Sequence, residues 1–181
     1  MLKKLKRLGL VLIIIIFFTN TITIAEESSK RPLFIKPYDA TLAKEVERAR
    51  QTVRMIDDMY KTFIVLITKQ YVDDPSVLPA AALSKRVFEA MSKKGWHKAR
   101  LLDATGSPFN PDNNPRDDFE RDAIDAIKSG KSYFERVERI DGRNYYRAAT
   151  ALAADMEGCT FCHPDKKLGD ILGAISYGIP L

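Results

Sequence analysis

The chain has 181 residues, 45% of them hydrophobic and 29% charged, and a formal net charge of +5. One domain is the expectation at this length, and an ordinary apolar fraction with only two cysteines excludes a disordered, collagenous or disulfide-dense protein. The positive balance would suit nucleic acid or an acidic surface, so where the charges lie decides its meaning.

Lys3, Lys4, Lys6 and Arg7 precede an apolar run from Leu8 to Phe18, a polar stretch and then Thr23-Ile24-Ala25. A basic start, an apolar centre and small residues at the end form an export signal, read here as residues 1–25 with cleavage after Ala25. The run is far short of the roughly 20 residues that cross a bilayer, although Ile22 and Ile24 extend it, and an uncleaved anchor is the alternative. Cleavage would remove four basic residues and no acidic ones, which accounts for most of the +5. The expectation is therefore an exported, periplasmic protein with no nucleic-acid partner and no membrane span after signal cleavage.

Residues 26–37 carry Pro32 and Pro37 and read as an extended lead-in to a single domain over 38–181. From 38 to 72 Leu42, Val46, Ala49, Val53, Ile56, Tyr60, Phe63 and Ile67 alternate at spacings of four and three, which predicts one long helix. That stripe packs either on its own domain or on a second copy in a homodimer. Asp73-Asp74-Pro75 ends the helix. A second helix is predicted over 79–93, stopped by Gly95, and a strand over Trp96 to Leu102. Gly106, Pro108 and Pro111 mark a loop over 105–114, after which Asn114 would cap a third helix with Pro115 in its first position and Lys128 and Gly130 at its end. Strands 132–140 and 143–152 flank Asp141-Gly142, a strong hairpin signal, and a last strand covers 171–181. The order predicts an α+β fold, an antiparallel sheet covered by helices.

Both cysteines stand in Cys159-Thr160-Phe161-Cys162-His163, the attachment signature of c-type haem. Two thiols three positions apart on a tight turn can form thioethers to the two vinyl groups of one porphyrin, and the following imidazole can reach the iron. Covalent attachment takes place outside the cytoplasmic membrane, in agreement with export. A disulfide between these cysteines would close a very small loop, a thioredoxin-type pair belongs at a helix start after an early strand, and zinc would need all four cysteines and histidines of the chain. His97, the only other histidine, alternates with Ala99 and Leu101 and so points into the core, either as a structural side chain or as the distal iron ligand. Met55, Met59, Met91 and Met156 are thioether alternatives, and an open sixth position is another. Arg147 and Arg100 are the candidates to pair with the haem propionates.

With Asn110-Pro111, Asn114-Pro115 through Glu120, Asp141-Gly142 leading to Tyr146-Arg147, Cys159 to His163, Lys167 to Asp170, Gly173 to Ser176 and Ile179-Pro180-Leu181, the C-terminal half resembles a known family. It is the family of periplasmic sensor-like domains with a PAS-like fold and one c-type haem, first catalogued as a domain of unknown function and typified by a cyanobacterial monohaem cytochrome. The resemblance implies a five-stranded antiparallel PAS-like sheet, a long N-terminal helix, attachment at Cys159 and Cys162, and His163 as axial ligand. Some members take a helical cysteine as the other ligand; this chain has no third cysteine. Many relatives continue into a membrane helix and a signalling module, which is not expected here because the sequence stops at Leu181. The functional expectation is electron transfer by one covalently bound haem c with a redox partner protein. The alternative is a redox or gas sensor acting through a signalling partner. No catalytic constellation is apparent beyond the haem, so an enzyme is not expected.

Overall fold

A computed structural model describes residues 37–74 and 78–181; the expected export signal, the expected lead-in up to residue 36 and Pro75 lie outside the described residues. Helix α1 runs Pro37–Asp73, α2 Ala80–Lys93, α3 Asp118–Lys128 and the single turn α4 Cys159–Cys162. Strands β1 (Lys98–Asp103), β2 (Tyr133–Ile140), β3 (Arg143–Ala153) and β4 (Ile171–Pro180) form one antiparallel sheet in the order β1-β4-β3-β2. Among the described residues the sheet thus has four strands, not five. The segment between α2 and α3 supplies only β1, and residues 104–117 form loop and a 3-10 turn at Pro111–Asn113 instead of a further strand.

Register follows from the turn chemistry. Asp141 and Gly142 both have positive φ, 50° and 79°, as a two-residue hairpin loop requires, and this sets Ile140 opposite Arg143. Side chains then alternate across the sheet. On one face Leu101, Tyr146, Ala148, Ile175 and Tyr177 meet Ala49, Val53, Ile56 and Tyr60 of α1 and Phe88 of α2. On the other, Leu102, Ala149 and Ala174 meet Phe119, Ala123, Ile124 and Ile127 of α3. The central part of the long apolar stripe is therefore buried on its own sheet, and each such Val or Ile contributes about 1.5–3 kcal/mol. Buried Asp57 fixes α1 in place: its Oδ1 accepts from Thr150 Oγ1 at 2.6 Å and Tyr177 OH at 2.9 Å, and its Oδ2 pairs with Lys61 at 2.9 Å.

Two boundaries differ from expectation. β1 begins at Lys98, leaving Trp96 and His97 before the strand. α3 begins at Asp118, capped by Asp117, whose side chain accepts from the Glu120 N–H at 2.9 Å, and not by Asn114. Side chains satisfy the intervening backbone: Arg100 donates to the Asp112 and Asn114 carbonyls, and the Arg116 N–H goes to the Glu120 carboxylate at 2.8 Å. With these groups engaged, 114–117 stays out of the helix.

Candidate haem cavity

The turn α4 is built by local bonds, Cys159 N–H to Met156 O at 3.0 Å, Phe161 N–H to Gly158 O at 3.3 Å and His163 N–H to Cys159 O at 3.2 Å. One helical turn sets Cys159 and Cys162 on the same side, and His163 then leaves the helix with φ −128° and ψ 67°. Gly158 is buried against α1, where an added Cβ would lie 3.0 Å from the Met156 methyl and 3.2 Å from methyl groups of Thr68 and Val72. A small residue here lets the cysteine turn approach the end of the long helix. Both thiols are free.

Cys159, Cys162 and His163 line one cavity of about 920 Å³. Its other walls come from Ile64, Thr68 and Tyr71 of α1, the stretch from Pro79 to Lys85, the ends of β1, β3 and β4 at Leu102, Leu152 and Gly173, and the loop from Thr105 to Asn113. The Phe109 ring meets the His163 imidazole edge-on, with centroids 6.3 Å apart. The volume is at the upper end of small-molecule sites, about 300–1,000 Å³, and most of the lining is apolar. Among the described residues no three His, Cys, Asp or Glu side chains converge as a metal centre. Two thiols and an imidazole spread along one wall of a large apolar cavity suit a porphyrin, whose attachment points and iron are themselves apart. One more feature fits an absent group: the Asn113 Oδ1 is buried and has no hydrogen-bond partner.

The other sequence candidates lie elsewhere. His97 is only 8% exposed, as its alternation suggested, but it is not in the cavity lining. Its Nε2 is hydrogen-bonded to Tyr60 OH at 2.8 Å, and Tyr60 in turn stacks on Tyr177 at 6.4 Å. Burial pushes the imidazole below its ordinary pKa of 6.5, which favours the neutral ring. Met55 and Met59 are exposed on α1, and neither Met91 nor Met156 lines the cavity.

Arg100 and Arg147 point to the α3 face of the sheet. Arg100 pairs with Glu120, which is 2% exposed; Arg147 donates to Asp117 at 2.6 Å and Glu138 at 3.1 Å and lies 4.2 Å over the Phe119 ring. Burial alone would raise the Asp117 carboxyl, but the Arg147 bond, the Glu120 N–H and nearby charge outweigh it and hold it below the ordinary range. These arginines lock α3 to the sheet, and neither lines the cavity. Lys85 and Asn113, which do, were missed: Lys85 reads as an ordinary helical lysine, and only the fold brings it into the wall of the same cavity as the cysteine turn.

No curated protein matches this chain. Among solved structures, the crystal structure of the cyanobacterial heme-protein Tll0287 is similar in fold, with a TM-score of 0.54 at 14% identity, covering 74% of this chain and 95% of that one. The Tll0287-like family matches residues 38–180, nearly the whole of the unit Pro37–Leu181. The chain belongs to the Tll0287-like family.

Proposed function

We propose that the protein is an exported c-type monohaem protein, with Cys159 and Cys162 holding one haem as thioethers and His163 as its axial ligand. The observation that carries this reading is that all three side chains line a single cavity of about 920 Å³. A structural relative that is a heme-protein supports haem as the group. Bound there, haem would supply one-electron chemistry. The chain supplies a largely apolar enclosure, an imidazole set by the α4 turn and by Phe109, and an aromatic rim at exposed Phe109 and Phe161. An exposed rim gives a redox partner access to the cofactor edge, and electron transfer is the role we assign. The partner is a second redox protein, and the chain pairs with its own copy through the 38–72 helix.

A second reading, ligand sensing through a signalling partner, is favoured by one observation. No imidazole, thiol or thioether other than those of Cys159, Cys162 and His163 lines the described cavity, which supports an exchangeable sixth position. Such a switch needs ligand affinity that differs between two conformations.

Expression with a cytochrome c maturation system should give a chain that shows a pyridine haemochrome band, keeps haem through denaturation and begins at Glu26. Cys159→Ala should change the band to that of a single thioether, and a protein with no haemochrome would overturn the haem reading. Carbon monoxide divides the two roles. A reduced spectrum that shifts with the gas supports sensing, whereas a low-spin spectrum unmoved by it supports electron transfer alone.

A further inference from the structure

We infer that Lys85, Asn113 and the first turn of α2 form the pole of the cavity that binds the haem carboxylates, the role that sequence reasoning gave to Arg100 and Arg147. The inference rests on the haem reading above.

Three charged side chains belong to the described lining, Lys85, Asp103 and Asp165. Asp103 is engaged by its own loop, accepting from Thr105 Oγ1 at 2.7 Å and from the Gly106 N–H at 2.6 Å. Asp165 pairs with Lys166 at 3.3 Å. Lys85 is half-buried in the wall and has no carboxylate partner among the described residues. Its ammonium is therefore free to meet an anion that enters the cavity. Beside it in the wall are Ala80, Ala81 and Ala82, the first turn of a 14-residue helix. Pro79 gives that helix no side-chain cap, and the turn contains no acidic residue. Its N–H groups and positive dipole end are suited to a carboxylate.

Asn113 completes the pole. Its Oδ1 is the buried side-chain oxygen without a partner, and turning the amide over places the Nδ2 donors at the same position. A carboxylate accepts from an amide N–H, and a protonated one donates to the amide oxygen, so either orientation is satisfied by the same ligand group. Arg100 and Arg147 are unsuited to the task because Glu120, Asp117 and Glu138 already occupy them on the other face of the sheet. Haem has two propionates on one edge, and Lys85 is the one Lys or Arg among the described lining residues. The match fixes which way the macrocycle lies.

The test uses the covalently loaded chain. The propionate bending band in its resonance Raman spectrum should move to lower frequency in Lys85→Ala and Asn113→Ala, stay in place in Lys85→Arg, and stay in place in Arg147→Ala. In a chain carrying Cys159→Ser and Cys162→Ser, haemin should bind roughly ten-fold more tightly than its dimethyl ester, the size of one hydrogen-bonded charge contact. Lys85→Ala should bring that ratio close to one. A band unmoved in both Lys85→Ala and Asn113→Ala, in protein that shows its haemochrome, overturns the assignment and leaves the haem reading standing. Wild-type protein without a haemochrome overturns the haem reading and the assignment with it.

Discussion

His97 and Tyr60 separate a buried histidine from an iron ligand. The imidazole has its partner in Tyr60 OH at 2.8 Å and lies outside the cavity lining, so its role is in the core. Tyr60→Phe should lower stability by about 1 kcal/mol in urea unfolding, the ordinary value of one lost hydrogen bond, and should leave the visible spectrum of the loaded protein unchanged. The pH dependence has a definite sign. Burial depresses the folded-state pKa below 6.5, so between the two values the unfolded chain binds more protons and stability rises with pH. The His97 contribution is complete above about pH 6.5 and is lost as pH falls below it. Unfolding free energy measured from pH 7 to pH 5.5 should decline less in His97→Gln than in wild type; equal slopes would remove this account. The alternation of His97 with Ala99 and Leu101 was enough to place the ring inside. Which inside surface it faces depends on Tyr60, 37 residues earlier, and no local pattern carries that distance. The spacing of the cysteine turn was legible, and the structure places Cys159, Cys162 and His163 along one cavity. Arg147 and Arg100 pair with Asp117, Glu120 and Glu138, which the sequence did not announce, because a side chain's face can be read from its strand but its partner on α3 cannot.

At the scale of elements, close approaches between backbones set the cavity's shape. Gly173 stands opposite Asp103 where β4 pairs with β1, and a Cβ there would lie 2.0 Å from the Leu102 carbonyl oxygen. Backbone on both sides leaves nothing to yield. Gly173→Ala should cost about 3 kcal/mol in urea unfolding and reduce haem loading, since Gly173 also lines the cavity. Gly158→Ala meets a flexible methionine methyl and two side-chain methyl groups at 3.0–3.2 Å and should cost about 1 kcal/mol. A Gly173→Ala variant no less stable than Gly158→Ala would show that β1 and β4 can separate freely there. Of the elements themselves, the hairpin and the long helix were plain in the sequence, because Asp141-Gly142 fixes a turn and the stripe fixes a face. The start of α3 was not, because Arg100 and Glu120, distant along the chain from one another, take the backbone groups that would have extended the helix to Asn114.

For the whole molecule, the long helix has a second seam. The stripe that predicted the helix is covered in its central part by the sheet, and the outward side of α1 carries Met55 at 66% exposure, Met59 at 47% and Leu66 at 60%. These fall on a row of alternating spacings of four and three, Arg48, Thr52, Met55, Met59, Thr62, Leu66, Lys69 and Asp73, the repeat of a coiled-coil face. The row is self-complementary when reversed. Two copies placed antiparallel about the midpoint between Tyr60 and Lys61 set Met55 against Leu66, Met59 against Thr62, and Arg48 against Asp73, with apolar contacts central and opposite charges at the ends. This pattern suits a second copy of the chain as the occupant proposed above, with an isologous two-fold as the arrangement. Sedimentation equilibrium at tens of micromolar should show a dimer. Met55→Glu or Leu66→Lys alone should weaken it by at least roughly ten-fold, since each desolvates a charge without a partner. The two together should restore it, because the antiparallel register sets Glu against Lys twice. In a parallel pair position 55 would face 55, like charges would meet, and the double variant would remain monomeric. A wild-type chain that stays monomeric across the concentration range would instead leave this face to another protein.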